Sequence, residues 1–353
     1  MPREYYLQLA ERGLRFPIGS DLVLAEQPDA EAVRRDGRRL GQVVELAARR
    51  FGTPLAIPLM DLRLEKADLL RLLGVEEGQV ETFQFAEPPE EGLLERLAPR
   101  FEAPFAPRNQ AHIDAVRYIC EETDLWPVGM VIGPFSLATK LLADPITPIA
   151  LAGMGVSAEE DTAVRAFERC LQLAEWAVTR SVAAQIRAGA RAILTAEPAA
   201  SVVYLSPKQI AAGADTFERF VIQPHLRLKQ RLEAAGVDWI FHDCGQVSDE
   251  MVRQFGWRLH PAVLSLGSSV RLWEVAALVP KDVVLYGNLP TKSFYSDSVM
   301  PIERVEQLIG ELLERMREVG HPHILGSECD VLHVEEAAAT IWAKIKVMLD
   351  SGR

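Results

Sequence analysis

The spacing of apolar residues changes character along the chain. Between residues 31 and 50, Val33, Leu40, Val43, Val44 and Ala47 recur at helical intervals among many arginines, which predicts an amphipathic outer helix. Ahead of it, Phe16-Pro17-Ile18-Gly19-Ser20-Asp21 reads as a loop, and Leu22-Val23-Leu24 as a short extended run. Residues 1–50 are therefore expected to be a mostly helical extension, with residues 51–353 forming the main domain. The run at 54–61 reads as a strand ending in Asp61, although Pro54 and Pro58 cannot donate to a ladder. Residues 75–110 are acidic and proline-rich, and read as a surface connection carrying one helix.

Beyond this the alternation is regular. Short apolar runs at 128–134, 192–195, 237–243, 262–267, 283–288 and 323–326 predict strands. Helical patterns lie between and after them, at 135–142, 161–190, 217–235, 270–278, 302–320 and 334–349. Apolar strands alternating with amphipathic helices indicate a parallel sheet covered by helices. No strand is followed by Gly-x-Gly-x-x-Gly or a Walker pattern, which disfavours a nucleotide-binding doubly wound sheet. The expected fold is α/β, a (β/α)8 TIM barrel with an N-terminal helical extension.

Composition narrows the function classes. With 353 residues, 48% of them apolar, the chain has ample material for a large core. A formal net charge of −12 argues against nucleic acid and anionic membranes as partners, since both require phosphate-neutralising basic patches. The first residues lack an apolar signal segment, and no later run is long and apolar enough to span a bilayer. A soluble, cytoplasmic protein is expected. The four cysteines (Cys120, Cys170, Cys244, Cys329) are too few and too scattered for a disulfide framework, so they read as packed thiols or ligands.

The sharpest chemistry lies in Val237-Asp238-Trp239-Ile240-Phe241-His242-Asp243-Cys244-Gly245, where an apolar strand breaks into a histidine, a cysteine and a glycine. His242 and Cys244, two apart, share a face in extended backbone. A second such break, Ile324-Leu325-Gly326-Ser327-Glu328-Cys329, comes late; were the two segments neighbouring strands, their ends would converge. Zn²⁺ favours imidazole and thiolate, and three protein ligands leave one position open. The residues alone leave a second reading standing: both cysteines as small buried hydrophobes and His242 as a satisfied core histidine. Glu197, Glu328, Asp330 and Asp61 are candidate fourth ligands or substrate-positioning acids, against the commoner fate of a loop acid that caps the next helix. That fate is preferred for Asp330 and Asp61. Asn288 either donates to a substrate oxygen or holds its turn. Glu197, Asn288 and Glu328 are thus the catalytic candidates. His260, His321, His323 and His333 read as surface or turn residues, His225 as structural, and Ser136 as a helix-opening serine.

The features Gly133-Pro134-Phe135-Ser136-Leu137-Ala138, Ser206-Pro207, His242-Asp243-Cys244-Gly245, Gly287-Asn288-Leu289 and Gly326-Ser327-Glu328-Cys329 occur in the order seen in the uroporphyrinogen decarboxylase superfamily, which the chain resembles from about residue 54 onward. The resemblance implies a (β/α)8 barrel with a helical N-terminal extension. His-x-Cys followed by a distant Cys is similar to the branch of zinc-containing, cobalamin-dependent methyltransferases, which pass a methyl group from a corrinoid protein to a thiol. It carries the zinc-ligand role to His242, Cys244 and Cys329.

Two departures qualify this. Arg15-Phe16-Pro17-Ile18-Gly19-Ser20-Asp21 lacks the paired arginines with which the decarboxylases hold substrate carboxylates, which argues against porphyrinogen decarboxylation. Leu264-Ser265-Leu266-Gly267-Ser268 lacks the glutamate that serves the methyltransferases as a zinc ligand. The function expected is zinc-dependent methyl transfer between a corrinoid (methylcobalamin on a partner protein) and a small-molecule acceptor such as a thiol. The alternatives are a decarboxylase-like lyase acting on a carboxylated substrate, and a non-catalytic corrinoid- or tetrapyrrole-binding barrel. The expected partners are a corrinoid protein and the acceptor, with a homodimer left open.

Overall fold

A computed structural model describes residues 2–351; Met1, Gly352 and Arg353, at the ends of the two expected segments, lie outside the described residues. Eight parallel strands form one curled sheet: β1 (Arg15–Phe16), β2 (Leu55–Ala56), β3 (Trp126–Ile132), β4 (Ala192–Ala196), β5 (Asp238–Asp243), β6 (Val263–Leu266), β7 (Val284–Tyr286) and β8 (His323–Gly326). Each of β3 to β8 pairs with its sequence neighbour, β2 pairs with β3, and β1 closes onto β8. This is the strand order of a (β/α)8 barrel. No ladder joins β1 to β2 among the described residues. There the Ser20 hydroxyl donates to the Ile57 carbonyl at 2.6 Å, and Phe16 and Ile18 meet Leu55 and Ile57 inside the barrel.

The strands read as continuous apolar runs because both faces are covered. Residues in register point the same way, so Leu194, Ile240, Val263 and Ile324 fill the barrel around one small void. Their neighbours Ile193, Trp239 and Phe241 turn outward into the helical layer, where Phe241 packs on Phe255. The longest helix, Thr162–Arg187, starts at Asp161, whose carboxylate accepts the N–H groups of Ala163 and Val164. Its buried Arg180 pairs with Asp68 on helix Leu64–Leu72, and Ser181 donates to Glu65 on the same helix at 2.8 Å. No helix is long and apolar enough to cross a membrane.

Two local expectations change. Arg15–Phe16, where the mostly helical segment was expected to enter a loop at Phe16, is a barrel strand; a two-residue strand shows no alternation to read. Leu22-Val23-Leu24, expected to be extended, lies in helix Ser20–Leu24. All three side chains are fully buried, and a run buried on every side carries neither helical nor strand periodicity. The sheet therefore takes one strand from within the first 50 residues.

Candidate metal centre

The site is built at the C-terminal end of β5. Alternation along a fully buried strand sends Ile240 and His242 into the barrel and Trp239 and Phe241 out of it. The strand then ends in a turn in which the Gly245 N–H donates to Asp243 Oδ1 at 2.7 Å. Gly245 is required here, because a Cβ would lie 2.6 Å from the Pro198 carbonyl. This turn leaves Cys244 half-buried at the barrel mouth.

Cys329 arrives from the other side. Beyond β8 the chain stays beside the β7 loop through the Leu289–Ser327 bridge and the Glu328 N–H to Leu289 carbonyl bond of 2.9 Å. Strands β5 and β8 are not neighbours, contrary to the simplest expectation, since β6 and β7 stand between them. Their ends meet across the mouth. One ligand atom each from His242, Cys244 and Cys329 lies within 4.8 Å of the other two. Zinc–thiolate bonds of about 2.3 Å in a tetrahedron place neighbouring ligand atoms a little under about 4 Å apart, so modest closure satisfies the geometry.

The donor set fits a zinc ion. His242 Nδ1 stands 2.8 Å from Ser265 Oγ, while Nε2 is buried and has no partner in the protein. A ring whose Nδ1–H donates to the serine carries its lone pair on Nε2 and presents it to a metal. The two thiols are coupled. A hydrogen bond from Cys329 holds the Cys244 thiol well below its usual range, with His242 and Lys292 adding to the effect, and the same bond together with burial pushes Cys329 up. Lys292 itself is raised: burial works against its charge, but Cys244, Cys329 and Glu328 outweigh it. Met60 brings its thioether to 4.0 Å from Cys329 Sγ.

The uroporphyrinogen decarboxylase (URO-D) family matches residues 24–345. The chain belongs to that family. Among solved structures, a methyltransferase from Methanosarcina mazei superposes with a TM-score of 0.63 at 17% identity, covering 98% of both chains, and so shares the fold. No curated protein matches.

Around the three ligand atoms, the other candidates of this family member separate. Glu328 sits beside the centre, but its carboxylate is engaged: Oε2 accepts from Ser268 Oγ at 2.6 Å and Oε1 from the Lys292 N–H at 3.2 Å. Among the described residues no carboxylate joins the ligand group. Asn288 spends both amide protons on the Gly267 and Val270 carbonyls, each at 2.8 Å, and so holds the loop after β6. Glu197 lies behind the sheet. Its oxygens accept the N–H groups of Phe135 and Ser136 at the start of helix Pro134–Thr139, and His225 Nε2 stands 3.3 Å away. Burial raises Glu197 to about 7 and lowers His225 to about 4.

Asp61 is tied to Arg63, with Arg63 Nε 2.8 Å from its carboxylate. Burial and the nearby Asp21 push Asp330 up to about 7. His321, expected to be a surface or turn residue, is buried and bonded through Nε2 to the Val283 carbonyl. His323, also expected to be a surface or turn residue, opens β8, stands 2.6 Å from the Gly287 carbonyl and is lowered to about 4 by burial.

Two site residues had no signal in the linear pattern. Ser265 lies within an apolar strand, and its place beside the histidine appears only once β6 lies in register with β5, at the His242–Ser265 pair. Lys292 sits in an irregular loop, and nothing in its neighbours points to the cysteines.

Proposed function

We propose that this protein is a zinc-dependent methyltransferase that moves a methyl group between a corrinoid carried by a partner protein and a small thiol. The observation that carries the reading is the convergence of His242, whose Nε2 is buried and unpartnered, with Cys244 and Cys329 at the barrel mouth. The mouth is where barrel enzymes of many chemistries keep their reacting groups. Family membership and the likeness to a protein described as a methyltransferase support the same reading.

Zinc held there would supply Lewis acidity that keeps a bound thiol ionised near neutral pH. The protein's own residues would do the rest. Ser265 orients the imidazole, the Asp243 turn presents Cys244, and Glu328, the residue before Cys329, ties down the loops after β6 and β7. The acceptor sulfur would attack the methyl carbon; the new S–C bond forms as the Co–C bond breaks, and its electron pair stays on the cobalt of the corrinoid substrate.

The test begins with metal analysis of protein purified without added metal, as wild type and as Cys329→Ala. About one zinc per chain in the wild type, lost in the variant, is expected. Methyl transfer from methylcobalamin to a panel of thiols follows. A folded wild type that neither contains nor takes up zinc would overturn the proposal.

A further inference from the structure

We propose that Met60 supplies a displaceable fourth donor to this centre, its thioether holding the open position until an acceptor thiolate takes it. The inference rests on the zinc reading above. Three protein ligands leave a tetrahedral zinc one position short. Glu328, beside Cys329, is spent on Ser268 and on the Lys292 N–H, and among the described residues no carboxylate joins the ligand group. A sulfur reaches it instead. The Cys329 thiol donates to Met60 Sδ, with the two sulfurs 4.0 Å apart.

The backbone fixes this contact from both sides. One short segment, residues 18–20, ties together the two loops that carry the sulfurs. The Ile18 N–H donates to Ser327 Oγ at 3.0 Å, and the Val331 N–H donates to the Ile18 carbonyl at 2.7 Å, so the loop is held on either side of Cys329. The Ser20 hydroxyl donates to the Ile57 carbonyl at 2.6 Å, just before Met60 in the chain. Immediately after Met60, the Asp61 carboxylate accepts from the Arg63 N–H at 3.2 Å and from Arg63 Nε at 2.8 Å. Between these anchors Met60 is half-buried and packed against the core.

The chemistry of the pair suits a shared metal. Zinc takes the place of the proton on a cysteine sulfur, so a lone pair that accepts the Cys329 thiol is aimed at what replaces its proton. Zinc–sulfur bonds of about 2.3 Å in a tetrahedron put two sulfurs a little under about 4 Å apart. The 4.0 Å between Met60 Sδ and Cys329 Sγ is close to that spacing. Thioether and thiolate are both soft ligands, but the thioether is neutral and the weaker of the two. It therefore completes the shell without competing with an anionic sulfur. The exchange trades one neutral sulfur donor for one thiolate and releases the thiol proton to water.

The experiment is zinc-edge X-ray absorption on the full chain labelled with selenomethionine, as wild type and as Met60→Leu. Each is loaded with zinc, measured, then saturated with 2-mercaptoethanol and measured again. Leucine conserves the volume of methionine, so the fold is retained. The wild type should show a selenium at bonding distance from zinc, and the thiol should replace it with sulfur. Met60→Leu should hold its zinc through the other three ligands and lose the selenium signal. Zinc without a selenium neighbour in the wild type overturns the inference and leaves the zinc reading intact. So does a selenium that persists in Met60→Leu, or one that remains after thiol saturation. Loss of all zinc from Met60→Leu also overturns it, by making the thioether indispensable instead of displaceable. A wild type that binds no zinc overturns both.

Discussion

Ser265 Oγ lies 2.8 Å from His242 Nδ1, at the position on β6 that pairs in register with the histidine on β5. The hydroxyl takes one ring nitrogen and leaves the other buried and unpartnered, on a histidine that groups with Cys244 and Cys329. A ring held through one nitrogen has its angle decided before metal arrives.

Ser265→Ala should therefore weaken zinc binding by about 10–100-fold while leaving the fold intact. Competition against a chromogenic chelator measures it. An unchanged affinity would mean that packing alone orients the ring.

The approach of β6 to Cys244 is equally tight. A Cβ on Gly267 would stand 2.7 Å from the Cys244 carbonyl oxygen and 3.0 Å from its Cα, both backbone atoms that cannot swing aside. Gly267→Ala should displace Cys244 and reduce metal content. Gly310, within helix Ile302–Val319 and with nothing inside 4 Å of such a Cβ, is the control. Gly310→Ala should keep the metal and gain about 1 kcal/mol of stability, measurable by denaturant unfolding.

Asn288 is placed to hold the loop after β6, through two amide bonds of 2.8 Å. Asn288→Ala should cost about 2–3 kcal/mol in urea unfolding, because it strands two buried carbonyls. A variant of full stability that is altered only in acceptor affinity would return the residue to substrate binding.

Glu65 is buried between helices, with one oxygen on Ser181 and the other unpartnered. Burial raises it from 4.5 to about 7. Above pH 4.5 the unfolded chain loses this proton while the folded chain keeps it, so the stability it contributes is full below pH 4.5 and is lost as pH rises to about 7. Glu65→Gln, which keeps an oxygen to accept the Ser181 hydroxyl, should match wild type near pH 4.5 and be more stable at pH 8, by up to about 3 kcal/mol. His112 and His225, lowered by burial to about 4, slope the opposite way, so the measurement is the difference between variant and wild type across the pH series.

Much of the site was legible in the chain because it is written in local pattern. Apolar runs that alternate with amphipathic helices specify a helix-covered parallel sheet, and a two-residue spacing puts His242 and Cys244 at one strand end on one face. The break at Glu328-Cys329 marks where a third candidate ligand enters. What the pattern does not hold is distance between strands. That β5 and β8 meet across two intervening strands follows from the closure of the sheet, which is a property of all eight strands together. The same closure turns Glu197 away from the mouth to cap helix Pro134–Thr139, brings Ser265 beside His242, and carries Lys292 to the cysteines. Sequence decides which face of its own element a side chain takes; only the packed barrel decides what that face meets.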